Sequence, residues 1–193
     1  SATFRIKKLM PFKYFLNHYQ VYSPSQVKKI SKALSPLLQP SPTFIKKGPK
    51  GSIKDCTVSV VSWGKTQSFL RPFVDRAWRT NEEIFGVHLY PLREDYRFFH
   101  NVYKPGQQYS FHVDDSASPP TSCKLTCLLN LSTQPYSGGE FMLQPGGETL
   151  VIKEFNTPGT MVVFPSYILH KISPVIKGTR VSLAALLEGP KWV

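Results

Sequence analysis

Between positions 140 and 164 the chain reads Glu140-Phe141-Met142-Leu143, a turn at Pro145-Gly146-Gly147, Thr149-Leu150-Val151-Ile152, a turn at Pro158-Gly159, then Met161-Val162-Val163-Phe164. Short apolar runs, each closed by a Pro/Gly turn, are the mark of strands that fold back on one another. The alternation extends outward from about Val87 to Glu188. It takes in Arg97–Tyr103, Tyr109–Val113, Lys124–Leu131 and Arg180–Leu187, with further turns at Pro105-Gly106, Ser137-Gly138-Gly139 and Lys177-Gly178. Many short strands at this spacing predict a barrel or sandwich.

Upstream the period changes. Phe12–Tyr22 is aromatic-rich and reads as a strand or lead-in segment. Ser23-Pro24-Ser25 offers an N-cap with proline at the first helical position. Val27, Ile30, Leu34 and Leu37/Leu38 follow at helical spacing until Pro36 and Pro40 end the helix. Residues 40–52 read as an exposed loop, and Ile53–Trp63 as a strand. Thr66–Phe85 is the clearest helix, with Leu70, Phe73, Val74, Ala77 and Trp78 on one stripe and Gly86 as its stop. There is no internal repeat and no linker. The simplest architecture is one domain over 1–193, mainly β with flanking helices: 1–97 support a β-barrel core at 98–188.

The 193 residues are 41% hydrophobic and 19% charged, which is globular rather than disordered composition. No apolar run approaches the ~18 residues of a membrane helix, and the first residues carry no apolar signal segment. Cys123 and Cys127 on one strand stand roughly 13 Å apart, too far for a disulfide. With Cys56 they read as buried free thiols in a reducing, cytoplasmic setting. Asn130-Leu131-Ser132 is a sequon read as chance. The net charge of +12 is uneven: residues 1–97 carry 17 Lys and Arg against 6 Asp and Glu, and 98–193 carry 7 against 6. The basic half reads first as ordinary surface charge; an acidic partner is the alternative.

The chemistry gathers at His112-Val113-Asp114. On a strand, i and i+2 share a face with Cα atoms roughly 6.6 Å apart, so an imidazole and a carboxylate can reach one metal. His170, after Met161–Phe164 and the turn Pro165-Ser166, supplies a second imidazole. Two histidines and a carboxylate make the facial triad of non-haem Fe(II) oxygenases. A zinc hydrolase could use the same three plus water. Arg180 tips the balance: an inward-facing arginine beside a metal site needs an anion. A dicarboxylic cosubstrate would provide one, gripped by Arg180 with Ser182 adding a hydroxyl from the same face. His18 is expected to be partly buried among aromatics, and His88 and His100 to have no site role.

Tyr103-Lys104-Pro105-Gly106-Gln107-Gln108-Tyr109-Ser110-Phe111-His112-Val113-Asp114 resembles the first signature of the 2-oxoglutarate/Fe(II) dioxygenases of the prolyl 4-hydroxylase type. Pro158–His170, Pro174-Val175 and Lys177–Ser182 resemble the second, and Gly138-Gly139-Glu140-Phe141 resembles the family's turn between barrel strands. The similarity is greatest to bacterial and viral PKHD-type hydroxylases and covers about 98–188. It implies a double-stranded β-helix (jelly-roll, cupin-like) buttressed by N-terminal helices. It implies Fe(II) on His112, Asp114 and His170, 2-oxoglutarate on Arg180, a hydroxyl from Tyr103 to the cosubstrate, and Tyr109 lining the pocket.

The activity implied is hydroxylation of a prolyl residue in a protein or peptide by O2, with 2-oxoglutarate decarboxylated to succinate and CO2. Ascorbate is admitted as a further cofactor. Free amino acids, small molecules and nucleic acid are alternative substrates. Nucleic acid ranks lower because the stretch after Arg180 lacks the second arginine of demethylases of this class. A non-catalytic metal-binding cupin-like module is the alternative outside enzymes. No membrane is expected as a partner. Asp115 stands where relatives often have Asn, the strand from Arg180 lacks a common Trp, and 115–122 is a candidate lid.

Overall fold

In a computed structural model of the protein, residues 16–41, 46–47, 53–114 and 121–191 are described. The element order opens with β1 (Asn17–Gln20), α1 (Pro24–Leu34), β2 (Gln39–Pro40), β3 (Lys46–Lys47), β4 (Ile53–Lys54), β5 (Thr57–Ser62) and α2 (Trp63–Thr80). Strands β6 (Arg97–Tyr103), β7 (Tyr109–His112), β8 (Thr121–Asn130), β9 (Ser137–Gly138), β10 (Phe141–Gln144) and β11 (Leu150–Val151) follow. The last are β12 (Thr160–Pro165), β13 (Leu169–Ile172), β14 (Val175–Lys177) and β15 (Arg180–Pro190).

The strands form a seven-stranded sheet, β1-β12-β8-β15-β6-β5-β2, and a six-stranded sheet, β11-β10-β13-β7-β4-β3, with β14 and β9 paired apart. Every pairing is antiparallel. From β6 onward the chain passes back and forth between the two large sheets, with β6, β8, β12 and β15 in one and β7, β10, β11 and β13 in the other, which is the winding of a double-stranded β-helix. One apolar cluster (Phe141, Leu143, Phe155, Val162, Phe164, Ile172) fills the space between the sheets. A second (Val27, Leu34, Leu70, Phe73, Phe98, Leu129, Leu183) joins the helices to the seven-stranded sheet. Strand β8, inside the seven-stranded sheet, is covered on both faces, and all of its residues from Cys123 to Asn130 are buried.

The helices form where capping and periodicity direct. Ser23 accepts from the Gln26 N–H while the Gln26 side chain accepts from the Ser23 N–H, a complete capping box ahead of Pro24. Val27, Ile30 and Leu34 are its buried stripe. In α2, Pro72 lies inside the helix, where a proline breaks the hydrogen-bond ladder. The Tyr22 hydroxyl enters at that break, donating to the Phe69 carbonyl at 2.9 Å and accepting from the Phe73 N–H at 3.2 Å. Buried Tyr22 thereby stitches the segment before α1 to the middle of α2. A π-helical turn at Asn81–Phe85 then ends on Gly86, whose φ of 61° is left-handed.

Several expectations need adjustment. The segment 53–63 is two strands, and Trp63 opens α2. His18 is exposed, because it lies on the outward side of the edge strand β1. His170 lies within a strand, β13, rather than merely after one, and β14 precedes Arg180. Two-residue strands at 39–40 and 46–47 interrupt the predicted loop; its remainder from 42 to 52 and most of the candidate lid, 115–120, lie outside the described residues. Among the described residues no helix is long and apolar enough to cross a membrane.

Candidate metal centre and cosubstrate pocket

Strand pairing assembles the centre. His170 on β13 sits directly across from His112 on β7, and Asp114 follows two residues after His112. The ligand-type atoms of the three lie within 4.8 Å of one another. Asp114 Oδ1 is 3.5 Å from His112 Nε2, and Oδ2 is 3.3 Å from His170 Nε2. Both imidazoles are oriented from behind. His112 Nδ1 is 2.8 Å from the Ser110 carbonyl and His170 Nδ1 is 2.8 Å from the Ile168 carbonyl. A carbonyl only accepts, so each Nδ1 carries the proton and each Nε2 lone pair is directed at the shared centre, as metal-binding histidines require.

The electrostatics agree. Burial holds the His112 imidazole below its ordinary pKa, with Asp114 pulling the other way. Burial alone would raise Asp114, but its close contacts with His112 and His170 outweigh it and hold the carboxyl well below the usual range. The set is a carboxylate flanked by two imidazole Nε2 atoms. The donor chemistry fits a divalent first-row metal.

Val113 points outward and is 42% exposed. Tyr109 stacks on the His112 ring, with centroids 3.4 Å apart and planes at 13°. The Lys54 ammonium lies 5.0 Å from the Tyr109 ring centre on its strand-paired neighbour.

A cavity of about 450 Å³ joins this centre to Arg180. Its lining includes Lys54, Asn101, Tyr103, Tyr109, Arg180 and Ser182 among apolar residues such as Phe99, Leu128 and Ile172. Arg180 is 1% exposed. It donates through Nη1 to the Ser182 hydroxyl at 3.1 Å, while Nε and Nη2 have no hydrogen-bond partner among the described residues. Its guanidinium is layered near the Tyr103 and Phe155 rings, 5.3 and 5.4 Å from their centres. Gly139 makes room for its stem: φ there is +60°, and a Cβ would stand 3.0 Å from Arg180 Cδ and 2.9 Å from Val175 Cγ2. A buried cation with two unsatisfied donor nitrogens is costly unless an anion meets it. That is the fit expected of a cosubstrate carboxylate.

Tyr103 is buried opposite Arg180 in the β6–β15 pair. Its hydroxyl is hydrogen-bonded to the Cys56 thiol, and burial pushes the phenol well above its ordinary pKa.

Residues 98–187 match the model of the 2OG-Fe(II) oxygenase superfamily. The chain contains a 2OG-Fe(II) oxygenase domain. That family implies Fe(II), 2-oxoglutarate and O2 as metal, cosubstrate and oxidant, and it is a family of oxidoreductases. Over 86 residues the oxygenase domain is 37% identical to a PKHD-type hydroxylase of Synechococcus sp. (strain CC9605), covering 43% of this chain and 37% of that protein. Over 91 residues it is 36% identical to a PKHD-type hydroxylase of Sphingopyxis alaskensis, covering 45% and 41%. The match thus spans less than half the length of these curated relatives.

The fold extends further than the sequence likeness. A Pseudomonas putida prolyl-4-hydroxylase superposes with a TM-score of 0.67 at 17% identity, over 92% of this chain and 94% of that one. A viral collagen prolyl hydroxylase from Paramecium Bursaria Chlorella virus-1, in complex with 2OG, gives 0.65 at 16%, over 91% and 96%. A prolyl hydroxylase from Trichoplax adhaerens, in complex with a hypoxia inducible factor peptide fragment, gives 0.64 at 14%, over 90% and 83%.

All seven residues singled out for the site line this cavity. His18, His88, Cys123 and Cys127 do not line it; the cysteines at 56, 123 and 127 are buried and free of disulfides. Asn130 of the sequon is buried, its amide donating to the Phe155 carbonyl at 2.7 Å. Unforeseen were Lys54 and Asn101 in the lining, and a polar chain behind Asp114. There Thr126 Oγ1 donates to Asp114 Oδ2 at 2.7 Å, and Ser166 Oγ is 3.0 Å from Thr126 Oγ1. Cys123 Sγ lies 3.1 Å from Ser166 Oγ. A threonine within a buried apolar strand was the available signal.

Proposed function

We propose that the chain is a 2-oxoglutarate- and Fe(II)-dependent dioxygenase that hydroxylates a prolyl residue in a protein or peptide. The observation that carries this reading is the Arg180 guanidinium: fully buried, missing partners on two nitrogens, and in one cavity with the His112–Asp114–His170 cluster. Bound Fe(II), with 2-oxoglutarate and O2, supplies the oxidation of a substrate C–H bond, coupled to release of succinate and CO2. The chain's residues do the rest. His112, Asp114 and His170 hold the metal through two Nε2 atoms and a carboxylate. Arg180 binds the far carboxylate of 2-oxoglutarate through the donors it has to spare, as a charge-assisted pair. Ser182 fixes the guanidinium, and Tyr103 lends its hydroxyl to the same carboxylate. Phe99, Leu128 and Ile172 give the pocket apolar walls.

The peptide substrate is supported by the prolyl hydroxylase neighbours, one of them bound to a peptide fragment. One domain is supported by β1, β2 and β5 extending the same sheet as the barrel strands. Three buried free thiols support a reducing, cytoplasmic setting.

The test is an anaerobic titration of the purified protein with Fe(II) and 2-oxoglutarate, reading the weak visible charge-transfer band of a chelated keto acid. The band is expected in the wild type and lost in His170→Ala. Arg180→Ala is expected to bind Fe(II) normally and to need at least about tenfold more 2-oxoglutarate, as one lost charge-assisted hydrogen bond predicts. Unchanged 2-oxoglutarate affinity in Arg180→Ala would sink the clamp. Peptides with and without proline, incubated with O2 and read by mass spectrometry, test the substrate.

A further inference from the structure

The polar chain behind Asp114 has a defined direction. An ionised carboxylate only accepts, so the one hydroxyl proton of Thr126 is spent on Asp114 Oδ2. In its 3.0 Å pair with Ser166, Thr126 must therefore accept and Ser166 donate. The Ser166 proton is then spent as well, and in the 3.1 Å contact with Cys123 the thiol donates to Ser166. Every donor points toward the carboxylate. Thr126 is fully buried, Ser166 is 1% exposed and Cys123 is 8% exposed, so water does not compete. The chain also ties the parts of the centre together. Thr126 is on the buried strand β8, while Ser166 lies in the turn between β12 and the β13 strand that bears His170. The Ser166 carbonyl accepts the Asp114 N–H at 2.9 Å. The segment carrying one histidine thus holds the carboxylate ligand by its backbone directly and by its side chain through Thr126.

We propose that Thr126 is a positioning residue of the metal centre: with Ser166 behind it, it fixes the rotation of the Asp114 carboxylate and sets metal affinity without touching the metal. This rests on reading His112, Asp114 and His170 as metal ligands. A partner of this kind typically governs affinity by about 10- to 100-fold. Thr126→Val removes the hydroxyl at nearly constant shape; Thr126→Ser keeps it. Ser166→Ala removes only the donor that orients Thr126.

The experiment is calorimetric titration of metal-free protein with Co(II) or Fe(II) under argon, without 2-oxoglutarate, beside thermal unfolding of the metal-free forms. Thr126→Val is expected to bind metal 10- to 100-fold more weakly. Thr126→Ser should stay within about threefold of wild type, and Ser166→Ala should fall between them. A purely structural role for Thr126 would lower the unfolding temperature and leave metal affinity intact, which overturns the proposal. If Thr126→Val does not fold, Ser166→Ala decides: weakened metal binding supports the relay, and wild-type binding overturns it. If the wild type itself binds no metal, the metal-centre reading fails first and the positioning role with it.

Discussion

Arg180 is a charge that the fold removes from water and gives no carboxylate. Among the described residues the ion pairs are Arg93–Asp95 and the contacts of Asp114 with its two histidines. The nearby Tyr103 and Phe155 rings offset part of the desolvation, since a guanidinium near aromatic faces gains about 0.5–2 kcal/mol. The balance is borne by folding stability, as is common where a site is built for a ligand. Arg180→Met keeps the length and removes the charge. Its metal-free form is expected to be no less stable than wild type and up to about 2 kcal/mol more stable, by analogy with buried ionic groups replaced by apolar ones. Thermal or urea unfolding checks this, and a clear loss of stability would mean that the arginine is chiefly a prop for the barrel. Gain of stability with loss of 2-oxoglutarate binding would mark it as a functional residue.

Among the elements, the junction at Gly159 is the most constrained. Its carbonyl accepts from Val21 and Tyr22, and its N–H donates to the Asn130 carbonyl at 2.8 Å. It therefore locks the ends of β1 and β8 to the start of β12. Its φ is +84°, and a Cβ would run into the Tyr22 carbonyl. Gly159→Ala is expected to destabilise the protein by at least about 2 kcal/mol, combining backbone strain with displacement of Tyr22 from the α2 break. Equilibrium denaturation measures it, and wild-type stability would show that the turn can reorganise. Most elements were legible because period and punctuation agreed: the stripe of α2, the N-cap and proline that open α1, and Arg97–Tyr103 with matching bounds. Strand β13 was not. Leu169-His170-Lys171-Ile172 is four residues long, alternates only once, and owes its conformation to β7 and β10 on either side. The grouping of His112, Asp114, His170 and Arg180 around one cavity was legible because metal and anion chemistry restricts the residue types. Thr126 was not, because nothing local distinguishes a threonine bonded to a ligand from one bonded to backbone. Only the pairing of β8 with β12 brings it beside Ser166.

In the whole molecule the proposed metal ligands come from two places far apart in sequence, the His112–Asp114 arm and His170 on β13. A metal bound there closes a long loop and is bound only by the folded state. At 100 times its dissociation constant it should add about 2.7 kcal/mol of stability. For a chain of this size that is a rise in unfolding temperature of roughly 5–11 °C. Differential scanning fluorimetry with Fe(II) under argon should show the rise, a chelator should reverse it, and Asp114→Ala should show none. An equal rise in Asp114→Ala would mean that the metal binds elsewhere.

The seven-stranded sheet has another consequence. Its middle is occupied by β15, residues 180–190, flanked by β8 and β6, which are made long before it. As the polypeptide leaves the ribosome, β6 and β8 cannot be neighbours in their final arrangement, because the strand that separates them has not been synthesised. Each presents an unsatisfied edge until then. The sheet cannot close progressively as the chain emerges; β6 and β8 are joined only once β15 has been made, so Arg180 and the pocket around it are completed late.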